Sequence, residues 1–265
     1  MVIYIAFAND EINFLEELVK EEQAIRNEFV ELEREGRVKL KVSKKVRVDD
    51  FFEVFRSYQK EIRIFHFGGH ADQNKLYFDN ESANGEGIAR RIYLLENLKL
   101  VFLNGCSTKG HVVRLLELGV KVVIATSAAI EDGTAYSFAK NFYSCIASNL
   151  TIEESFEAAV SHLEINEKVA PNKIRIHSIS SRDVVPLGSE EPNPWGLFFM
   201  EENRSTLKWR IAPKIKRYEN GRNSYNALRN FINQKIENQL LESYSDLEKI
   251  DLHLTNIIST NDKKR

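Results

Sequence analysis

The sequence predicts an α/β fold with a mainly parallel central sheet and helices on both of its faces. Two observations, the alternation of elements and the length of the chain, lead to this prediction. Short apolar runs of strand length alternate with longer amphipathic segments of helix length along most of the chain. Strands that alternate with helices form βαβ units, which place parallel strands in one sheet and helices against its faces. With 265 residues, the chain is long enough for one such domain and an appendage.

The elements of the first half follow from apolar spacing and from the residues that cap or stop a helix. In chain order, we predict a strand over 2–8, a helix from Glu11 to Gly36, a strand over 38–42, a helix that opens at Asp49, a strand over 62–67, a small hairpin around 76–78, and a loop marked by Gly85 and Gly87.

The second half repeats the alternation and then becomes irregular. We predict a strand over 100–103, a helix over 112–118 that Gly119 stops, a strand over 120–126, and helices over 132–148 and 152–164. The segment 169–194 holds four of the five prolines and is expected to be an irregular crossing. Two closing strands are predicted over 195–200 and 207–211.

The composition changes beyond Pro213, so we predict a domain over 1–212 and a C-terminal helical extension over 213–265. Residues 226–258 form an amphipathic helical pattern, and the basic end of the chain is expected to be disordered. The apolar stripe of this helix must be buried. The helix either folds back onto the domain or docks on a partner.

Composition excludes several classes of function. A content of 43% hydrophobic and 29% charged residues is that of a globular protein. The net charge of −2 gives no basic field for nucleic acid, and the longest apolar runs are too short to span a bilayer. Cys106 and Cys145 are too few for a disulfide framework or a four-cysteine zinc site. No signal-peptide pattern occurs, so we expect a cytoplasmic protein without nucleic-acid or membrane partners.

The most informative feature is a pair of strand ends, over 62–71 and 99–107. Each apolar run breaks at glycine and then presents His70 or Cys106. Ligands bind at the carboxyl ends of parallel strands, and a nearby imidazole can take the proton of a thiol. The alternative is that Cys106 is a small core residue and His70 an ordinary loop residue. Their occurrence together at consecutive glycine-marked strand ends favours a reactive pair.

These two strand ends carry a resemblance. The motifs His66-Phe67-Gly68-Gly69-His70-Ala71 and Val101-Phe102-Leu103-Asn104-Gly105-Cys106-Ser107 resemble the CHAT family, caspase-like cysteine peptidases of the group that contains caspases, metacaspases, gingipains and separase. The resemblance extends from Val2 to Ile211. It implies a caspase-like three-layer sandwich.

The resemblance also implies roles for individual residues. His70 would be the general base and acid, and Cys106 the nucleophile of an acyl transfer. The backbone N–H groups of Gly69, Ala71 and Cys106 would hold the oxyanion. The family often has glycine where this chain has Ala71, which makes a left-handed backbone harder at that position. No metal or cofactor is implied.

The other reactive residues are expected to be structural. His66 and His70 lie on a strand and its loop, so their spacing of four does not make a metal pair, and His66 is expected to support the structure. Cys145 lies in the middle of a predicted helix and is expected in the core.

The substrate pocket is predicted around acidic residues near the two strand ends. In separase-like relatives, an acidic residue in the region that corresponds to Glu131 and Asp132 resembles part of a pocket for a basic P1 side chain. A carboxylate in such a pocket can bind an arginine side chain in a bidentate manner. Asp72 and Asp79, close to His70, are alternatives. Asp132 also fits a helix cap, with the helix starting at Gly133.

The resemblance therefore implies a cysteine endopeptidase that cleaves a protein substrate, with a role in bacterial, including antiviral, defence or in cell-death signalling. The resemblance also implies an activating sensor, such as an ATPase or helical-repeat module, in the same chain or another. No Walker-type phosphate loop occurs in this sequence. One alternative is an inactive caspase-like interaction module. Another is a flavodoxin-like or TIR-like signalling or nucleotide-binding domain, which gives no reason for the Cys and His placement.

Overall fold

We describe the protein from a computed structural model, over residues 1–9, 15–72, 74–79, 81–105, 108–126, 130–166, 176–179, 195–212 and 229–232. The chain forms two compact units, Met1–Pro213 and Lys214–Arg265. In the second unit, residues 229–232 are described and are helical. Most of the helix predicted over 226–258 and the basic end lie outside the described residues.

The first unit contains a seven-stranded sheet and a separate hairpin. The sheet strands are β1 (Val2–Phe7), β2 (Lys39–Ser43), β3 (Ile62–Gly68), β6 (Leu100–Asn104), β7 (Val122–Thr126), β8 (Ile176–Ile179) and β9 (Trp195–Met200). Their order is β2-β1-β3-β6-β7-β9-β8, and every pair is parallel except β7 with β9. The hairpin is β4 (Lys75–Phe78) paired with β5 (Glu81–Asn84). The predicted mainly parallel sheet is confirmed.

Six helices cover the sheet in the described part of the first unit. They are α1 (Glu17–Arg34), α2 (Val48–Ser57), α3 (Gly85–Tyr93), α4 (Val112–Glu117), α5 (Asp132–Ala147) and α6 (Ile152–Ile165). Helices α1, α5 and α6 form one apolar core with one face of the sheet. Helices α2, α3 and α4 form a second core with the other face. The three-layer sandwich is therefore confirmed, and burial on both faces explains the continuous apolar runs of the central strands.

The predicted loop at Gly85 and Gly87 was wrong, because these residues begin α3. The Asn84 side chain accepts a hydrogen bond from the Glu86 N–H at 2.8 Å and so caps the helix. The carboxylate of Glu86 also binds Arg114 on α4, which ties the first turn to the neighbouring helix. Glycine at these positions suggested a turn, whereas the cap and the tertiary contacts favour a helix.

The second predicted closing strand was also wrong. Glu201–Lys208 forms a 3₁₀ helix, in which Glu201 pairs with Arg204 three residues later and Leu207 is buried in the core. The segment predicted to be irregular contains β8, which lies parallel to β9. Helix α1 begins at Glu17 rather than Glu11, with residues 10–14 outside the described range.

No helix in the described ranges combines the length and the apolar character needed to cross a bilayer.

Candidate active site

The two strand ends that precede His70 and Cys106 are neighbours in the sheet. Strands β3 and β6 pair in parallel with Gly68 opposite Asn104. His70 follows Gly68 by two positions, as Cys106 follows Asn104 by two positions. His70 is half-buried and lines a cavity at this edge of the sheet. Cys106 and Ser107 lie outside the described residues, so β6 and its exit are described as far as Gly105.

Glycine is required where the two strands end because the backbones lie in contact. A Cβ on Gly105 would lie 2.5 Å from the carbonyl oxygen of Gly69. A Cβ on Gly69 would lie 2.6 Å from the carbonyl oxygen of Ala8, at the end of β1. Both separations are far below van der Waals contact, so neither position has room for a side chain. The loop of His70 therefore rests directly on the exit of β6.

The cavity is small and acidic. It has a volume of about 50 Å³ and lies between the strand ends and the helices α1 and α5. Glu17 and Glu21 of α1 and Asp132 of α5 line it together with His70 and Asn104. The rest of the lining is apolar side chains and glycine backbone: Leu15, Leu18, Gly69, Gly105, Ile130 and Ala135. Glu17 also pairs with Lys20 at 2.6 Å, and carboxylates around a confined space favour a positively charged hydrogen-bond donor.

A buried polar cluster supports the floor of this cavity. The Asn104 Nδ2 donates to both carboxylate oxygens of Glu21, at 3.1 and 3.2 Å. The Glu21 Oε1 also lies 3.1 Å from the His66 Nε2, within ion-pair distance although the two groups are not aligned for a hydrogen bond. On its other side, the His66 Nδ1 lies 3.1 Å from the Tyr143 hydroxyl. All four side chains are buried, so the cluster holds α1 and α5 to β3 and β6.

Burial also decides the protonation of this cluster at its far end. It raises the pKa of the Tyr143 phenol well above its ordinary value, and the nearby Glu21 carboxylate raises it further. The phenol therefore stays protonated and can donate to the His66 Nδ1. His66 lies in the core, which agrees with the structural role expected for it.

A second cluster holds the residues on either side of Cys106 and Ser107. The Thr126 hydroxyl, at the end of β7, donates to the carbonyl oxygen of Gly105. The same hydroxyl accepts from the Thr108 N–H at 3.3 Å, and the Thr108 hydroxyl accepts from the Thr126 N–H at 2.9 Å. Both threonines are 0% exposed. One side chain of β7 therefore contacts both flanks of this two-residue segment.

The predicted pocket residues separate into two groups. Asp132 lines the cavity, whereas Glu131 precedes α5, is exposed and does not line it. The helix begins at Asp132 with Glu131 in the cap position, and no side chain caps it, so the alternative that Asp132 is the helix cap was wrong.

Asp72 and Asp79 do not line the cavity. The Asp72 carboxylate accepts from the backbone N–H groups of Asn74 and Lys75, at 2.7 and 2.8 Å, and from the Tyr77 hydroxyl at 2.7 Å. The Tyr77 hydroxyl contributes most to lowering the pKa of Asp72, and these backbone bonds lower it further. Asp72 thus shapes the loop that follows His70.

Two further expectations concern Ala71 and Cys145. Ala71 forms a bridge with Leu76 and is not among the described non-glycine residues with positive φ, which are Lys45 and Asn149. Alanine therefore fits its backbone without left-handed strain. Cys145 is half-buried on α5 and belongs to neither apolar core, so the expectation of a core residue was wrong. Burial raises the pKa of its thiol, which lowers its reactivity. The described residues contain no group of three His, Cys, Asp or Glu side chains that could hold a metal ion.

Sequence reasoning missed Glu17, Glu21 and Thr126. Glu21 had a detectable signal, because it lies three residues after Leu18 and four before Ile25, on the apolar stripe of α1. A charged residue on such a stripe is buried only with partners. Thr126 gave no comparable signal.

Comparison with known proteins agrees with this architecture. The model of the CHAT domain matches residues 6–209. Among solved structures, the initiator caspase Dronc of Drosophila is 11% identical, with a TM-score of 0.46, and the alignment covers 79% of this chain and 80% of Dronc. The Arg-specific cysteine proteinase gingipain R is also 11% identical, with a TM-score of 0.50. That alignment covers 79% of this chain but 47% of gingipain R. A search among curated proteins found no significant match.

The family match covers most of the chain and confirms the resemblance drawn from the two motifs. The likeness to gingipain R supports the fold. The chain therefore belongs to the CHAT-domain family.

Proposed function

We propose that this protein is a cysteine endopeptidase that cleaves a protein substrate with Cys106 as the nucleophile and His70 as the general base and acid. The observation that carries the proposal is the backbone contact between Gly69 and Gly105, each one residue before the proposed catalytic residue. Two reactive side chains that follow touching backbone positions can approach each other without any rearrangement of the sheet.

In the proposed mechanism, His70 takes the thiol proton and the Cys106 sulfur attacks the peptide carbonyl carbon. The backbone N–H groups of Gly69, Ala71 and Cys106 are proposed to stabilise the oxyanion. His70 then gives its proton to the departing amine, which leaves a thioester on Cys106. Water, deprotonated by His70, hydrolyses the thioester and regenerates the thiol.

We also propose that the enzyme prefers a basic P1 side chain. The acidic cavity beside His70 supports this preference, with Asp132 at its edge and Glu17 and Glu21 on the α1 side. A guanidinium group has five N–H donors and can bind carboxylates in a bidentate manner. Glu131 and Asp72, which do not line the cavity, are left out of this proposal.

The cellular role is proposed from the family. Membership of the CHAT group supports a role in bacterial, including antiviral, defence or in cell-death signalling, in which cleavage activates a protein. A sensor, ATPase or helical-repeat module in the same or another chain is the proposed activator. A content of two cysteines, too few for a disulfide framework, supports a cytoplasmic location.

The experiment compares the chain with Cys106→Ala and His70→Ala in digests of a peptide library and in labelling by iodoacetamide. We expect cleavage by the wild type only, and faster labelling of Cys106 than of Cys145 at neutral pH. His70→Ala should abolish the difference between the two thiols. Labelling makes the test valid even when cleavage requires the activator. Equal labelling of both cysteines in the wild type would instead support an inactive interaction module.

A further inference from the structure

We infer that Thr126 is a positioning residue that holds the Cys106 segment in its reactive geometry, an inference that rests on the proposed function. Cys106 and Ser107 connect Gly105 to Thr108 in the chain. The Thr126 hydroxyl binds the carbonyl oxygen of Gly105 on one side and the N–H of Thr108 on the other. A single hydroxyl group therefore fixes the distance between the two ends of this short segment.

Each threonine hydroxyl has several partners in this buried pair, including the other hydroxyl at 3.1 Å. Thr126 gives its one hydroxyl hydrogen to Gly105 and accepts from Thr108. The Thr108 hydroxyl accepts from the Thr126 N–H at 2.9 Å and lies 3.2 Å from the carbonyl oxygen of Leu103, to which it can donate. Without this pair, buried backbone groups at the exit of β6 and in the turn after Ser107 lose their partners.

The position of Thr126 in the sheet explains why it can act this way. It is the last residue of β7, which lies next to β6, so its side chain is level with the β6 exit. Glu21 holds the same exit from the α1 side through Asn104. Thr126 is the contact nearer to the nucleophile, because it binds the residue directly before Cys106. Reaction rates of nucleophiles fall steeply when their position shifts by an ångström.

The test measures alkylation of Cys106 by iodoacetamide at neutral pH, resolved by mass spectrometry, in the full chain. Thr126→Val keeps the shape and removes the hydroxyl, and we expect the Cys106 rate to fall about 10- to 100-fold. Thr126→Ser restores the hydroxyl and should recover most of the rate. Thr151→Val is the matched control, because Thr151 is also buried and its hydroxyl caps α6. It should lower the thermal midpoint and leave the Cys106 rate unchanged.

Each outcome decides the inference. A wild-type rate at Cys106 in Thr126→Val overturns it, as does a Thr126→Ser variant as slow as Thr126→Val. If Thr126→Val does not fold, Thr108→Val and Thr108→Ser make the same contrast from the other side of the segment. A wild-type Cys106 no faster than Cys145 is a separate result, because it would refute the proposed function and not the role of Thr126.

Discussion

The backbone of Gly69 lies against Gly105 so closely that a Cβ on Gly105 would be 2.5 Å from the Gly69 carbonyl oxygen. The loop of His70 and the exit of β6 are therefore one packed unit, although their residues are far apart in the chain. This contact explains why glycine follows β6 at position 105, and it leads to the first prediction.

Gly105→Ala should separate the His70 loop from the β6 exit. We expect the free energy of unfolding to fall by about 1–3 kcal/mol through overpacking. Peptide cleavage, or Cys106 labelling, should fall by about 100-fold because the reactive groups move apart. Gly87→Ala is the matched control, since a Cβ there meets no atom within 4 Å and the site lies on α3. It should leave the cleavage rate unchanged and stabilise the helix slightly. Wild-type cleavage by Gly105→Ala would contradict the tight packing.

Asp132→Asn should reduce the preference for arginine at P1. The substitution keeps the size of the side chain and removes one of the three carboxylates that line the cavity. Loss of a charge-assisted hydrogen bond costs about 1.5–3 kcal/mol, so kcat/KM for arginine substrates should fall by about 10- to 100-fold. Substrates with neutral P1 residues should change little. The control is Glu131→Gln, one residue earlier and outside the lining. A library digest in which the wild type shows no preference for arginine or lysine at P1 would refute the proposed P1 pocket.

We expect His66→Leu to lower the free energy of unfolding by more than the loss of one aromatic contact would. The variant leaves the buried Glu21 carboxylate without the imidazole that lies 3.1 Å away. Leaving a buried polar or charged group without one of its partners costs about 1–3 kcal/mol. The double variant Glu21→Gln with His66→Leu removes the charge as well, so urea unfolding should show a smaller loss than the sum of the two single variants. Additive losses would show that the two groups do not interact.

His111 should make the free energy of unfolding fall as the pH drops below the ordinary pKa of histidine. Burial lowers the pKa of His111 below 6.5, while its Nε2 lies 2.8 Å from the carbonyl oxygen of Asp72. The unfolded chain then binds a proton that the folded chain does not, so stability is lost as pH falls through 6.5, by up to about 1.4 kcal/mol per pH unit.

Urea titrations between neutral and mildly acidic pH test this prediction. His111→Leu should show a flatter dependence than the wild type, whatever its stability at neutral pH. His162→Leu, on the exposed side of α6, should keep the wild-type slope. An unchanged slope in His111→Leu would assign the acid sensitivity to other groups.

The sequence alone determined the α/β class and the neighbouring strand ends at His70 and Cys106. These features depend on local patterns. Continuous apolar runs identify strands buried on both faces, and alternation with helices implies parallel pairing. The errors arose where tertiary contacts outweigh local preference. Gly85 and Gly87 have low helix propensity, yet the Asn84 cap and the Glu86–Arg114 pair stabilise α3.

Only the tertiary structure decided what surrounds the two strand ends. Glu21, Asn104 and His66 are distant in sequence and meet because α1 packs across β3 and β6. Thr126 reaches Gly105 because β7 lies beside β6. Such contacts depend on register and on the packing of whole elements, which no local spacing of residues records. The sequence could therefore name the proposed reactive pair, whereas the residues that surround it came from the fold.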